Sequence, residues 1–180
     1  MEIDITYPGS RVSRRAAVAL VVCQIFAPAH VSASDAADTI RIVGRATEVG
    51  ILDEDIRILA KVDTGADSTS IDARNIEEFQ RGGEDWVRFE TPLGDDGRSV
   101  VFEREIIKGV RILRSGSEDV RRHVVELSLC VGEFEHKTEV NLANREGLEY
   151  RMLLGRGFLL RGNFLVNPAQ DGAVDPACDD

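Results

Sequence analysis

A chain of 180 residues, 43% hydrophobic and 30% charged, has the composition of one globular domain with a sizeable core. The formal net charge of −10 argues against a nucleic-acid partner, because phosphate backbones are bound by clustered Lys and Arg side chains. We therefore expect no nucleic-acid partner.

The first 33 residues differ from the rest of the chain in their pattern of charged and apolar residues. Three arginines precede an apolar run over residues 16–27, and Val31 and Ala33 form a small-x-small site. This order is typical of a secretory signal peptide cleaved after Ala33, which predicts a periplasmic or secreted protein. The alternatives are a buried helix or a membrane anchor. The run is shorter than the roughly 20 apolar residues of a membrane span, so we expect no stable anchor after processing.

The remaining chain is predicted to comprise a linker (34–39), one domain (40–168) and a flexible tail (169–180). Short apolar stretches separated by turn residues predict mainly β structure, in a compact barrel or sandwich with one or two short helices. The stretches lie at 40–44, 57–62, 86–90, 99–103, 124–131, 137–142 and 151–155. The predicted helices lie at 72–79, with Asp72 as its cap, and within 155–162.

Cysteine and histidine leave few chemical options. Cys130 and Cys178 either pair in an oxidising compartment or stay as free thiols, and the sequence favours neither. The histidines form no HExxH motif and no metal-ligand spacing, and no dinucleotide loop is present. We therefore predict neither a metal nor a cofactor, with a zinc site as the open alternative.

The chemistry is predicted to lie where a strand pattern stops. Alternating apolar residues end at Val62, and Asp63-Thr64-Gly65 follow, with Ala66 next. This is the composition of an aspartic-protease active loop: Gly65 lets a substrate approach the backbone, and the Thr64 hydroxyl can brace the loop. About ninety residues later, Leu153-Leu154-Gly155 supply the apolar residues and glycine that pack behind such a loop.

The segments KVDTGADSTSID, WVRFETP and YRMLLGRGF resemble the retropepsin-like aspartic protease family, in the branch often named ATP-dependent zinc proteases. The resemblance runs from about Ile42 to Pro168. It implies an acid-protease barrel and peptide or peptide-like substrates, including glutamate-rich ones. Relatives beside or fused to ATP-grasp peptide ligases account for the ATP in the name, whereas this sequence carries neither a nucleotide loop nor a zinc site.

Aspartic proteolysis needs two carboxylates that share a proton, and the chain offers one such loop. The resemblance therefore implies a homodimer in which Asp63 of each subunit meets its partner on a two-fold axis. Neither Asp67 nor Asp72 of the same chain is placed to replace the partner's carboxylate.

Two further expectations follow from the resemblance. Asp67 and Arg156 are predicted to form a salt bridge under the active loop; the alternative is two exposed charges of little consequence. A flap is expected at residues 89–102 or at residues 111–122, and either segment is equally well read as a plain surface hairpin.

The sequence thus favours an exported, homodimeric aspartic endopeptidase with Asp63 as the catalytic residue. One alternative is a domain of the same fold that binds peptides or partners without cleaving them, since fold implies activity only loosely. The other is a metal-dependent peptidase.

Overall fold

A computed structural model describes residues 39–93, 98–112, 120–170 and 175–178. The predicted signal peptide and most of the predicted linker lie outside the described residues. So do the tips of both flap candidates, at 94–97 and 113–119, and part of the predicted tail.

Strands dominate the described chain. They are β1 (Arg41–Val43), β2 (Ala46–Ile51), β3 (Ile56–Asp63), β4 (Thr69–Asp72), β5 (Arg74–Arg81), β6 (Glu84–Pro92), β7 (Ser99–Glu105), β8 (Lys108–Ile112), β9 (Val120–Val131), β10 (Phe134–Ala143), β11 (Met152–Gly155) and β12 (Phe164–Val166). A 3-10 turn spans Leu52–Glu54, and helix α1 spans Arg156–Arg161.

Six strands close into a barrel. Their order is β10-β4-β11-β3-β2-β9, and β9 also pairs with β10, which closes the barrel. The seventh strand, β8, pairs with the N-terminal part of β9. The two flap candidates, residues 89–102 and 111–122, include the β6–β7 and β8–β9 connections together with the flanking ends of those strands. The prediction of an all-β barrel with few helices is confirmed.

Period-2 alternation fills the barrel. On β3, Ile58, Ala60 and Val62 are buried, whereas the residues between them face away from the core. The same alternation on β9 buries Val125, Leu127 and Leu129. The core is continuous, and its large buried side chains include Phe89, Phe102, Ile71, Met152 and Leu154.

The predicted helix at 72–79 is wrong. Asp72 ends β4, and the following residues form β5, the edge strand of a three-stranded sheet with β6 and β7. The Ala and Glu content favours a helix locally, but antiparallel pairing with β6 overrides that preference. The Gly82-Gly83 turn closes this hairpin, with φ of 66° and 95° that suit glycine.

The second predicted helix is present as α1. It begins directly after Gly155 and buries Phe158 and Leu159 against the barrel. Beyond Gly162 the chain forms β12, which runs parallel to β1 with Ile42 opposite Leu165.

Cys130 and Cys178 form a disulfide, which resolves the open question about these two thiols. The bridge holds residues 175–178 against the β9–β10 turn, where Ala177 N–H donates to Gly132 O at 2.7 Å. Among the described residues, no helix combines the length and apolar character needed to cross a membrane.

Candidate active site

Asp63 is the last residue of β3 and lies beside the last residue of β11. The two strands run parallel, and their register places Leu153 opposite Lys61, Leu154 opposite Val62 and Gly155 opposite Asp63. The two sequence motifs, about ninety residues apart, are therefore neighbours at one end of the barrel.

Gly155 is required by close packing. A Cβ at this position would lie 2.4 Å from the carbonyl carbon of Ser68, closer than any real contact. The Gly155 N–H donates to Thr69 Oγ1 at 3.2 Å, so a buried hydroxyl fixes this crossing. Asn141 secures the same segment, with Nδ2 donating to Ser68 Oγ at 2.9 Å and to Thr69 O at 2.8 Å.

The loop after Asp63 is a tight turn held from both sides. Gly65 N–H donates to Asp63 Oδ1 at 3.0 Å, which orients the carboxylate. On the other side, the first residues of α1 hold the loop: Arg156 N–H donates to Ala66 O at 2.7 Å and Gly157 N–H to Asp67 O at 3.1 Å. The carboxylate is thus oriented by backbone on the surface of the barrel.

Asp67 and Arg156 form an ion pair between Asp67 Oδ1 and Arg156 Nη2, and both side chains are mostly exposed, at 82% and 52%. Arg156 Nη1 also donates to Thr64 O at 3.5 Å. Thr64 is exposed, and within the described part of the chain its hydroxyl has no hydrogen-bond partner. The pair therefore links α1 to the loop, whereas the Thr64 hydroxyl does not brace it inside one chain.

Lys61 is a residue of this site that sequence reasoning missed. Its Nζ lies 3.4 Å from Asp63 Oδ2, and the Lys61 and Asp63 side chains are 51% and 29% exposed. The alternation of side chains along a strand could have identified it, because residues 61 and 63 project from the same face of β3.

Asp72 and Arg145 form a buried charge network behind the site. The Asp72 carboxylate is fully buried and accepts Arg145 N–H at 2.8 Å and Arg74 Nη2 at 3.2 Å. Arg145 donates from Nε to Tyr150 O at 2.9 Å and from Nη1 to Ser70 Oγ at 3.4 Å. Burial lowers the pKa of Arg145, and the negative charges of Asp72 and Asp63 oppose that shift. Arg145 is a second residue that sequence reasoning missed, and no local motif marks it.

An arginine-rich groove lies between the start of β5 and the start of β9. Its lining comprises Ala73, Arg74, Asn75, Ile76, Arg121, Arg122, Leu142, Asn144 and Glu146. Arg122 Nη1 donates to Asn141 Oδ1 at 3.2 Å, and Asn141 in turn holds the segment after the Asp63 loop. The groove is therefore connected to the loop through one side chain.

Across the described residues, no group of three or more His, Cys, Asp or Glu side chains could hold a metal ion. Asp63 contacts no second carboxylate within the same part of the chain. The chemical group that the site presents is the Asp63 carboxylate at the surface. Its Oδ1 accepts the Gly65 N–H, and its Oδ2 lies beside the Lys61 ammonium group.

A closed β-barrel with this loop and this glycine crossing defines a retropepsin-like domain. The family model described as "RimB-like: Retropepsin-like aspartic endopeptidase RimB" matches residues 42–175, and the chain belongs to this family. The resemblance predicted from the sequence motifs is thereby confirmed.

A solved structure and several curated proteins are similar to this chain. The crystal structure of a protein of unknown function (DUF785) from Legionella pneumophila has a TM-score of 0.64 and 33% identity, covering 72% of this chain and 95% of that one. A probable alpha-L-glutamate ligase from Desulfotalea psychrophila is 40% identical over 119 residues, 65% of this chain and 25% of that protein. Another, from Shewanella pealeana, is 36% identical over 115 residues, 63% of this chain and 25% of that protein. The chain thus spans about a quarter of the length of the two ligase-named relatives.

Proposed function

We propose that this protein is an exported, homodimeric aspartic endopeptidase that hydrolyses peptide bonds through Asp63 of each subunit. The observation that carries the proposal is the Asp63 carboxylate, oriented by Gly65 N–H and packed against Gly155 at an exposed end of the barrel. Membership of the retropepsin-like family supports the same reading.

The reaction needs a second carboxylate. Two Asp63 side chains sharing one proton would allow one to take a proton from water while the other donates to the carbonyl oxygen of the substrate. The exposed Thr64 hydroxyl has no hydrogen-bond partner among the described residues, and it would be available to hydrogen-bond across the same two-fold axis. Both features support a site completed by a second copy.

An exposed apolar patch supports the homodimer. Four apolar side chains in this region are more than half exposed. They are Ile40 just before β1, Ile42 on β1, Leu160 on α1 and Leu165 on β12. Ile42 and Leu165 are partners in the β1–β12 pairing, and α1, which precedes β12, donates backbone hydrogen bonds from its first residues to the Asp63 loop. Burial of such a patch against its own copy removes apolar surface from water.

The substrate is proposed to be an acidic peptide segment, including glutamate-rich ones. The arginines of the groove, Arg74, Arg121 and Arg122, supply charge complementary to carboxylates. The ligase names of the relatives belong to proteins of which this chain matches about a quarter, and we propose hydrolysis, not ligation, for this domain.

Replacement of Asp63 by Asn tests the proposal. Peptide hydrolysis by the wild-type protein and the Asp63→Asn variant would be measured from pH 3 to pH 8, with and without a chelator. We expect the variant to lose about 100-fold to 10,000-fold in kcat/KM, the range for removal of a general acid or base. Activity that survives the substitution would contradict the aspartic mechanism, and loss on chelation alone would favour a metal-dependent peptidase.

A further inference from the structure

The Lys61 side chain is close to Asp63 on the same face of β3. Ala60 and Val62 point into the core, so Lys61 and Asp63 both point away from it. In the isolated chain each oxygen of the Asp63 carboxylate has a different neighbour. Gly65 N–H contacts Oδ1, and the Lys61 ammonium lies 3.4 Å from Oδ2.

Fold stability does not account for a lysine at this place. The Lys61 side chain is half exposed, and an ion pair in such a setting contributes little to the stability of the fold. Its register neighbours are Ala46 on β2 and Leu153 on β11, neither of which carries charge. A lysine that has apolar register neighbours and lies beside the Asp63 carboxylate is better explained by the binding of a ligand from solution.

The ammonium group and the catalytic water compete for the same atom. A water activated by an aspartate pair must hydrogen-bond to the carboxylate oxygens, and Oδ2 of Asp63 faces Lys61 in the free chain. A carboxylate on the substrate would attract the flexible lysine side chain away from Asp63 through a charge-assisted hydrogen bond.

We propose that Lys61 is a specificity-determining residue that binds an acidic side chain flanking the scissile bond and, in doing so, releases Asp63 Oδ2 to the catalytic water. This inference rests on the proposed function. In a symmetric dimer the two copies of Lys61 would lie beside the two Asp63 carboxylates, one on each side of the two-fold axis. Lys61 makes and breaks no covalent bond; it moves from one carboxylate to another.

The test uses matched peptides with Glu or Gln on both sides of the scissile bond. It also uses matched hydroxyethylene analogues, which bind but are not cleaved. Hydrolysis and binding are compared for the wild type, Lys61→Met and Lys61→Arg. Lys108→Met is the control, because Lys108 is equally exposed and pairs with Glu139 on the barrel.

The wild type should prefer the Glu peptide by roughly 10-fold to 100-fold in kcat/KM, the range for a hydrogen bond to a charged group. Lys61→Met should lose this preference and should cleave the Gln peptide faster than the wild type does, because Oδ2 is no longer occupied. Lys61→Arg should keep the preference, and Lys108→Met should match the wild type.

Equal use of Glu and Gln peptides by the wild type would overturn the inference. So would an equal fall on both peptides in Lys61→Met, which indicates a merely structural role. If no peptide is cleaved but the Glu analogue binds more tightly and Lys61→Met abolishes that difference, hydrolysis and the release of Asp63 Oδ2 to water both fail, while the binding of an acidic side chain by Lys61 stands. Failure of both analogues to bind would contradict the role of Lys61 itself.

Discussion

A missing side chain at Gly155 lets two distant segments of the chain touch. The β11 backbone passes so close to Ser68 that no Cβ fits between them, and the Gly155 N–H bonds the buried Thr69 hydroxyl. The position of the Asp63 loop therefore depends on the absence of atoms at Gly155, as well as on the hydrogen bonds that the loop makes.

Replacement of Gly155 by Ala should destabilise the protein by about 1–3 kcal/mol, the usual cost of overpacking, because the new methyl group overlaps the Ser68 backbone. Denaturant unfolding would measure the loss. Gly109→Ala is the matched control, since its Cβ would come no closer than 3.9 Å to a neighbouring atom. Equal stability of the two variants would show that the crossing tolerates a side chain.

Individual site residues differ in how far the sequence predicts them. Asp63, Gly65 and Gly155 could be recognised because the loop and its glycines are local motifs. Lys61 was missed although the alternation of β3 places it on the same face as Asp63. Arg145 could not be recognised, because its contacts depend on burial beside segments far away in sequence. Asp72 was interpreted as a helix cap, yet it is a buried partner of Arg145.

At the scale of elements, the 3-10 turn between β2 and β3 holds two other strands. Asp53 Oδ2 accepts Ser128 N–H from β9 at 3.1 Å, and Glu54 pairs with Arg104 from β7. Glu54 is mostly buried, and burial raises the pKa of its carboxyl while Arg104 opposes the rise. The turn thus links the barrel to the three-stranded sheet.

Replacement of Arg104 by Met should lower the free energy of unfolding by about 1–2 kcal/mol at pH 7, because a buried carboxylate loses its partner. The sign with pH follows from the raised pKa of Glu54: its ionised form is costly in the folded state, and protonation removes that cost. The loss should therefore shrink as pH falls toward the unfolded value, about 4.3 for Glu.

Chemical unfolding at pH 7 and pH 4 would measure this difference. Arg88→Met serves as the control, because Arg88 pairs with Glu103 on an exposed face and its loss should change stability little at either pH. A loss in Arg104→Met that is equal at both pH values would contradict the role assigned to Glu54.

The disulfide belongs to the same scale, since it holds residues 175–178 against the turn between β9 and β10. Cys178→Ser should cost about 2–4 kcal/mol, because the bridge restricts the unfolded chain between residues separated by 48 positions. Thermal melts should give equal stability for the variant and the reduced wild type. A reduced wild type as stable as the oxidised form would contradict this account. The bridge also suits the oxidising compartment predicted from the N-terminal sequence.

Sequence patterns predict the elements unevenly. The predicted apolar stretches overlap seven strands, and α1 begins after Gly155 as expected; both follow from local signals. Four other strands, β2, β4, β8 and β12, lie outside the predicted stretches. The segment at 72–79 was predicted as a helix because its composition favours one, whereas the β6 strand that pairs with it decides the structure. The pairings of β2 with β9, of β4 with β10 and of β3 with β11 join segments far apart in sequence, which composition does not encode.

For the whole molecule, one barrel presents half of the proposed site. Asp63 is oriented by its own chain, but its second carboxylate has to come from another copy. The exposed patch of Ile40, Ile42, Leu160 and Leu165 is the surface proposed to bring the copies together. Catalysis and association should therefore be inseparable in this protein.

Subunit mixing tests this central claim most directly. Wild-type protein is allowed to exchange subunits with a nine-fold excess of Asp63→Asn protein, and peptide hydrolysis is measured per wild-type subunit. If each site takes one Asp63 from each subunit, nearly all wild-type subunits are trapped in mixed dimers, and activity should fall to about one tenth. Activity per wild-type subunit that stays constant on mixing would contradict a shared site.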